Sequence, residues 1–245
     1  MRIRLKCAET AEELDDVFWV RRQVFSREEG KFGGAEAANP YLTDRFDAHP
    51  QCANLIAYED DQPIATVRIN LDRGAGLPPD QLYDFSAART RIFDNWQTQT
   101  GAVPRIGSAG MLAIRKGWRR RRDVVRALFK LAATVGRSWG GTHVLVAVNH
   151  ENALMYERVG FEPVGEKTWV QEIGNEIVPM VSTFSEFYAR TVGVRLDGIS
   201  VLKCFSGQFQ RMVYRAGERV FSEFDEADEC YVIDEGSVRI TTTNA

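Results

Sequence analysis

The sequence has few cysteines and histidines, and the few present are widely spaced. Its four cysteines form no C-x-x-C pair, and its three histidines lie at no metal-ligand spacing from them. This pattern excludes the common zinc frameworks and gives no sign of a disulfide scaffold. We therefore expect a protein without a bound metal, in the reducing cytoplasm.

Long apolar runs are also missing. No stretch reaches the roughly 18 residues that a membrane-spanning helix needs, and the amino-terminal MRIRLKCAET lacks the apolar core of a signal peptide. The net charge of -3 argues against a protein that coats nucleic acid. A chain of 245 residues with 44% hydrophobic content can still bury a full core. We expect a soluble protein with no membrane span and no nucleic-acid partner.

An arginine lies on the apolar side of the first predicted helix. Thr10 and Glu13 form a capping box, and the helix is predicted to run to about Phe25. Helical spacing places Arg21 on the stripe that also carries Phe18 and Phe25. The side chain either reaches the surface along its aliphatic stem or is buried against a carboxylate.

A second arginine and two aspartates are available for such pairing. The segment TDRFD supplies Asp44 and Asp47, and two strands are predicted after it, over residues 53–58 and 63–71. Strand alternation places Arg68 on the face opposite Val67 and Ile69. The resulting network either clamps the loop to the sheet or positions a polar substrate.

The second half alternates strands and helices. A glycine-containing strand is predicted over 105–114 and a helix over 119–135, closed by Gly136 and the pair at 140–141. A buried strand over 143–148 and a helix over 151–159, ending at Gly160, follow. This order predicts an α/β (α+β) fold with helix N-termini at the carboxyl ends of strands, where anions bind.

The stretch NALMYERVGF, residues 152–161, resembles the GNAT acyltransferase segment in which a helix bearing a tyrosine ends at Gly-Phe. The resemblance implies a mixed central sheet flanked by helices. It also implies that Tyr156 protonates a departing thiolate, while N–H groups from Leu112, Ala113 and Ile114 stabilise the oxyanion. On composition alone, the better interpretation of Tyr156 is a core aromatic whose hydroxyl caps a backbone carbonyl.

The run WRRRRDV, residues 118–124, stands where GNAT enzymes carry their phosphate-binding loop, Q/R-x-x-G-x-G/A. Arg119 matches the first position, whereas Arg122 replaces a glycine and Val124 a small residue. Arginine side chains would then take over from glycine-backed amides in holding a phosphate. The resemblance assigns donor binding to Arg119, Arg121, Arg122, Asp123, Val124 and Asn152. Part of the run is a candidate docking surface for acyl carrier protein, and the alternative is a solvated helix start.

The first half resembles acyl-homoserine-lactone synthases and long-chain N-acyl amino acid synthases. The resemblance rests on Arg21, Phe25, Arg68 and Phe85 together with the Asp44-x-x-Asp47 pair. It implies transfer of a long acyl chain from acyl carrier protein or acyl-CoA to a small amine such as an amino acid. SAGM at 108–111 replaces the Glu-x-x-Arg of lactone synthases, so lactone chemistry is not expected.

The resemblance also suggests roles for the individual residues. Asp44 and Asp47 are candidate bases for the amine, and a water chain would serve equally. Arg21 and Arg68 would bind the acceptor. Phe25, Phe85 and Trp96 would line an acyl tunnel, although aromatics at such spacing also form plain core.

The tail differs in character. We predict an acyltransferase domain over 1–192, a linker over 193–205, and a β fragment over 206–245 that resembles the opening strands of a cyclic nucleotide-binding domain. Nucleotide binding is not expected, and the strand edges favour pairing with the first domain or a homo-oligomer. Two other functions stay open: an acetyl-CoA-dependent N-acetyltransferase and a catalytically silent acyl-thioester sensor.

Overall fold

The protein is described by a computed structural model at residues 3–32, 39–192, 210–222, 225, 231, 233 and 236–241. The strands are β1 (Ile3–Cys7), β2 (Cys52–Glu59), β3 (Gln62–Leu71), β4 (Ile106–Ile114), β5 (His143–Asn149), β6 (Glu162–Pro163), β7 (Thr168–Val170), β8 (Asn175–Thr183) and β9 (Gln210–Val213). The α-helices are α1 (Ala11–Arg21), α2 (Ser86–Thr100), α3 (Arg122–Ser138), α4 (Ala153–Arg158) and α5 (Phe184–Val192).

The strands form one mixed sheet in the order β6-β8-β5-β4-β3-β2-β1-β9, with β7 pairing β8. Among the described strands, only β4 and β5 run parallel to each other, and α3 makes the crossover between them. The β2–β3 hairpin turns at Asp60 and Asp61, whose φ angles of 47° and 66° suit a type I′ turn. The predicted α/β fold with a mixed central sheet is confirmed.

Helices cover both faces of this sheet. Val67 and Ile69 of β3 share one core cluster with Leu128 of α3 and with Phe187 of α5. On the other face, α1 buries Val17 against β2, while α2 belongs to a separate cluster that reaches Leu145 of β5. The polar face of β3 therefore lies on the side of α1.

The first helix begins as predicted, but it does not end near Phe25. The Thr10 hydroxyl accepts from the Glu13 N–H at 3.3 Å, and the Glu13 carboxylate accepts from the Thr10 N–H at the same distance. After α1 the chain continues as a π-helix over Arg22–Glu28. The wider turn changes which side chains face the sheet, and such segments occur often at functional sites.

The third helix begins and ends three residues later than predicted. Gly136 does not close α3 but lies inside it, where a Cβ would come within 2.0 Å of Cε1 of Phe184. The chain turns instead at Gly140, with φ at 73°. The glycine at 136 is thus required by packing and not by a turn. At the end of α4, Gly160 takes a φ of 93°, as its predicted place suggests.

The described part of the tail extends the main sheet. β9 runs antiparallel to β1, with Val213 opposite Ile3 and Gln210 opposite Lys6. The predicted linker 193–205 and part of the predicted β fragment lie outside the described residues, so these boundaries stay predictions. No helix in the described ranges is long and apolar enough to cross a membrane.

Candidate active site

The two parallel strands separate halfway along their length. β4 and β5 pair only from Ile106 with His143 to Ser108 with Leu145. Past that point β4 is bulged: its pairing with β3 skips residues, and Met111 takes a φ of 52°. The strands therefore leave a gap into which the far half of β4 presents unpaired backbone groups.

Neighbouring hydrogen bonds show which groups face this gap. The Arg115 N–H donates to the Ile64 carbonyl at 3.0 Å, so alternation along the strand turns the polar groups of Ile114 away from β3. In agreement, the Ile114 carbonyl accepts from Nε of Arg119 at 3.2 Å. The same alternation turns the Leu112 N–H to the gap and the Ala113 N–H to β3.

Tyr156 lies in an aromatic cluster on the α3 side of the sheet. Its ring centroid is 5.2 Å from that of Phe129 and 5.4 Å from that of Phe161, and the residue is 5% exposed. Its hydroxyl makes no hydrogen bond to any of the described residues. Burial raises the pKa of Tyr156 far above its ordinary value, so the phenol stays protonated and able to donate.

Arg21 is buried against a carboxylate, as one of the two predicted alternatives requires. Its side chain is 0% exposed, and Nη1 donates to Oδ1 of Asp47 at 2.8 Å. Nη2 donates to the Asn54 amide oxygen. The guanidinium is therefore turned onto protein groups, and its Nε is buried with no partner.

Arg68 completes the network from β3. It is 1% exposed, forms a two-pronged ion pair with Asp44 at 2.6 and 2.9 Å, and reaches Asp47 at 3.0 Å. Burial disfavours the Asp47 carboxylate, but Arg21 and Arg68 together outweigh it and lower its pKa. The predicted arginine–aspartate pairing is present, and it clamps the short helix Arg45–Ala48 to the sheet.

The arginine run divides into paired and unpaired members. Arg119 contacts Glu28 at 2.7 Å, and Arg121 contacts Glu59 at 2.9 Å. Arg120 and Arg122 are exposed, and neither has an ion pair within the described ranges. Two arginines thus anchor the loop, and two are available to an external anion.

The loop before α3 is tethered by acids that sequence reasoning missed. Both carboxylate oxygens of Glu28 accept from the Lys116 N–H, at 3.0 and 3.2 Å. Glu59 accepts from Nε1 of Trp118 at 2.7 Å in addition to its Arg121 contact. The only sequence signal for these partners was the density of basic residues after β4, which requires acids nearby.

The remaining predicted donor residues lie around the starts of two helices. Asp123 is in the first turn of α3 and pairs with Arg121 at 2.7 Å, which lowers the carboxyl pKa. Val124 is buried in the main core cluster. Asn152 is exposed at the N-cap of α4 and makes no side-chain capping bond.

The aromatics predicted to line a tunnel are not brought together. Phe25 packs with Val20, Val24 and Ala113, whereas Phe85 is buried in the α2 cluster. Trp96 makes an edge contact with His143, with the ring centroids 5.3 Å apart. Phe25 alone is therefore next to the bulged strand. Among the described residues, no group of three His, Cys, Asp or Glu side chains is arranged to hold a metal ion.

A protein-family model described as the N-acyl amino acid synthase FeeM matches residues 16–183, which is more than half of the chain. The chain belongs to the FeeM family of N-acyl amino acid synthases. A search of curated protein sequences finds no match. The match spans the arginine–aspartate network, the bulged strand and the Tyr156 helix.

Solved structures agree with this FeeM-family assignment at the level of fold. FeeM from uncultured soil microbes is 14% identical, with a TM-score of 0.60 over 77% of this chain and 93% of that one. The acyl-homoserine-lactone synthase LasI is 16% identical, with a TM-score of 0.52 over 82% and 99% of the two chains. BjaI, solved with SAM and isopentyl-CoA, is 13% identical, with a TM-score of 0.52 over 74% and 80%. The fold is that of GNAT acyltransferases, and the FeeM-family chain is an N-acyltransferase.

Proposed function

We propose that the protein transfers an acyl group, preferably a long one, from an acyl-carrier-protein or acyl-CoA thioester to the amine of a small molecule such as an amino acid. The observation that carries the proposal is the gap between β4 and β5. It presents backbone N–H groups of Leu112 and Ile114 beside an arginine-rich loop. Such a gap provides hydrogen-bond donors for the carbonyl of a bound thioester without rearrangement.

The reaction needs no covalent enzyme intermediate. The amine nitrogen attacks the thioester carbon, and the resulting oxyanion is stabilised by the strand N–H groups. As the C–S bond breaks, Tyr156 donates its proton to the leaving sulfur and regains one from the attacking nitrogen through solvent. The products are an amide and a free thiol. The buried Arg21 and Arg68 act here by positioning Asp44 and Asp47, the candidate bases, at the acceptor side.

The donor assignment is supported by charge and by a relative. BjaI is described as CoA-dependent and was solved with isopentyl-CoA, and Arg120 and Arg122 are exposed cations at the start of α3. Asp123, Val124 and Asn152 would shape the ends of this donor site, with Arg121 holding Asp123. Reversing the charge at Arg119 and at Arg122 is expected to raise the donor KM. Arg119→Glu should also lower stability, because Glu28 loses its partner. An unchanged donor KM in both variants would contradict the assignment.

The direct test is mass spectrometry of purified protein incubated with a mixture of amino acids and one donor at a time. The donors are acetyl-CoA, palmitoyl-CoA and palmitoyl carrier protein. We expect a long-chain N-acyl amino acid that disappears in Tyr156→Phe. Acetylated products alone would identify a short-chain acetyltransferase. Tight donor binding with no product from any amine would indicate a sensor.

A further inference from the structure

Arg115, the first residue after β4, lies over two tryptophan rings. Its guanidinium carbon is 4.9 Å from the ring centroid of Trp19 and 5.1 Å from that of Trp118. Nη1 also donates to the Pro63 carbonyl at 3.3 Å, and no carboxylate among the described residues pairs with the guanidinium. The electron-rich faces of the two indoles therefore hold this cation. These three side chains, Trp19, Arg115 and Trp118, form what we term the Arg115 bridge.

The two rings belong to different parts of the molecule. Trp19 projects from α1 and packs in the cluster that contains Ala113 of the bulged strand. Trp118 lies in the loop between β4 and α3 and packs against the main core cluster, and its Nε1 donates to the buried Glu59 at 2.7 Å. The Arg115 bridge therefore joins the helix that carries Arg21 to the loop before α3.

The backbone of this loop follows the position of Trp118. The Trp118 N–H donates to the Arg115 carbonyl at 2.8 Å, and the Trp118 carbonyl accepts from the Arg121 N–H at 2.9 Å. Arg120 and Arg122 flank Arg121 and are exposed, with no ion pair among the described residues. The position of these two cations therefore depends on Trp118 and, through the Arg115 bridge, on α1.

We propose that Arg115 is a positioning residue for the acyl donor. It does not touch the donor but holds the loop against α1, so that Arg120 and Arg122 meet the donor's phosphate at one fixed place. A loop that is correctly placed for only part of the time binds the donor more weakly in the same proportion. This inference rests on the proposed function and adds that donor binding depends on Trp19, ninety-six positions before Arg115.

Removing one aromatic face separates positioning from direct contact. Trp19→Leu removes no charge, yet it should raise the KM of a phosphate-bearing donor, palmitoyl-CoA or palmitoyl carrier protein, about three- to tenfold, the value of one cation–π contact. Arg115→Met should have the same effect. Trp19→Phe keeps an aromatic face and should stay within about twofold of wild type. The kcat should be unchanged in all three variants, because neither the gap beside β4 nor Tyr156 is altered.

Arg137→Met is the matched control. Arg137, in the last turn of α3, lies over the Tyr188 ring at 4.6 Å, which is the same type of contact at the opposite end of the helix. This variant should lower the melting temperature about as much as Arg115→Met and leave the donor KM unchanged.

A second control changes the donor. Palmitoyl-pantetheine is a thioester without a phosphate, so the loop arginines have no anion on it to bind. Its KM should be the same in wild type and in Trp19→Leu, whereas a general loss of structure would raise it as well.

The outcomes distinguish this inference from the proposed function. Acyl transfer with an unchanged KM for the phosphate-bearing donor in Trp19→Leu and Arg115→Met overturns the positioning role and leaves the reaction standing. An equal rise for palmitoyl-pantetheine overturns it too, and a rise in Arg115→Met alone would place Arg115 on the donor itself. Should no donor give product, calorimetry with coenzyme A alone decides. Affinity that falls in Trp19→Leu and Arg115→Met but not in Arg137→Met supports the inference, and unchanged affinity or no binding overturns it.

Discussion

At the scale of single residues, the main feature is a buried cluster of opposite charges. Arg21 and Arg68 are held on Asp44 and Asp47 in a region from which water is largely excluded. Removing one member of such a group leaves an uncompensated buried charge. The cluster therefore holds the acceptor side of the site in place, and substitutions within it should lower the stability of the protein.

Asp47→Asn tests this cluster through stability. It leaves two buried guanidiniums short of a partner, so we expect the free energy of unfolding to fall by about 3–5 kcal/mol. Asp61→Asn is the control, because the Asp61 side chain is 93% exposed and its ion pair with Arg4 is long, at 3.4 Å. This substitution should change the free energy of unfolding by close to zero. Urea denaturation followed by circular dichroism measures both. Equal losses in the two variants would contradict the clamp.

The same carboxylate predicts a pH dependence. The pKa of Asp47 is lower in the folded protein than in the unfolded chain, where it is about 3.9. Its stabilisation is therefore complete above that unfolded value and is lost as pH falls through the folded pKa. Wild-type stability should fall more steeply than that of Asp47→Asn below about pH 4. Parallel acid-unfolding curves would count against this reading.

Tyr156→Phe tests the proposed acid. The ring contacts are retained and no hydrogen bond among the described residues is broken, so the melting temperature should change little. Loss of a general acid should lower kcat by about 10²–10⁴-fold while the donor KM stays similar. Steady-state thiol release measures both parameters. A wild-type kcat in this variant would show that Tyr156 is not the acid and serves only as a core aromatic.

At the scale of elements, the packing of helix α5 against α3 depends on glycines, which have no side chain. Phe184 at the start of α5 lies against Gly136 inside α3 and against Gly141 after it. Any Cβ at these positions would overlap the ring. The close approach of the two helices is thus set by one phenylalanine and two glycines.

Gly136→Ala should lower the free energy of unfolding by about 1–3 kcal/mol, the usual cost of overpacking a core. The matched change Gly117→Ala meets nothing within 4 Å and requires no positive φ, so it should be nearly neutral. Thermal unfolding of the two variants measures the difference. If Gly136→Ala is as stable as Gly117→Ala, the close contact with Phe184 is not decisive.

At the scale of the whole molecule, charge is distributed unevenly. The chain carries a net charge of -3, yet Arg120 and Arg122 stand exposed and unpaired, within the described residues, at the mouth of the proposed donor site. A locally basic patch on an acidic protein attracts a specific anionic partner and not anions in general. The strand β9 forms one edge of the sheet, beside β1.

This charge distribution predicts a salt effect that differs between donors. If acidic carrier protein docks on the patch, its KM should rise several-fold between 50 and 300 mM salt, because exposed ion pairs are screened. The double variant Arg120→Glu, Arg122→Glu should abolish most of that salt dependence. Palmitoyl-CoA, a smaller ligand with fewer contacts, should respond less. Identical salt dependence of both donors would contradict carrier docking.

The sequence by itself determined the features that depend on near neighbours. The Thr10 cap, the alternation that turns Arg68 away from Val67, and the Gly160 helix end all follow from residues within a few positions. The alternation of strands and helices between residues 105 and 160 followed in the same way, and with it the fold class, whereas α2, β8 and α5 were not predicted.

Only the tertiary structure decided the features that depend on residues distant in sequence. Arg119 contacts Glu28 ninety-one positions away, and Gly136 packs against Phe184 forty-eight positions away. The pairing of Arg21 with Asp47, the opening between β4 and β5, and the contact of Arg115 with Trp19 likewise exist only once the sheet has formed. The physical reason is that periodicity records which face a side chain takes, whereas the partner on that face is chosen by packing.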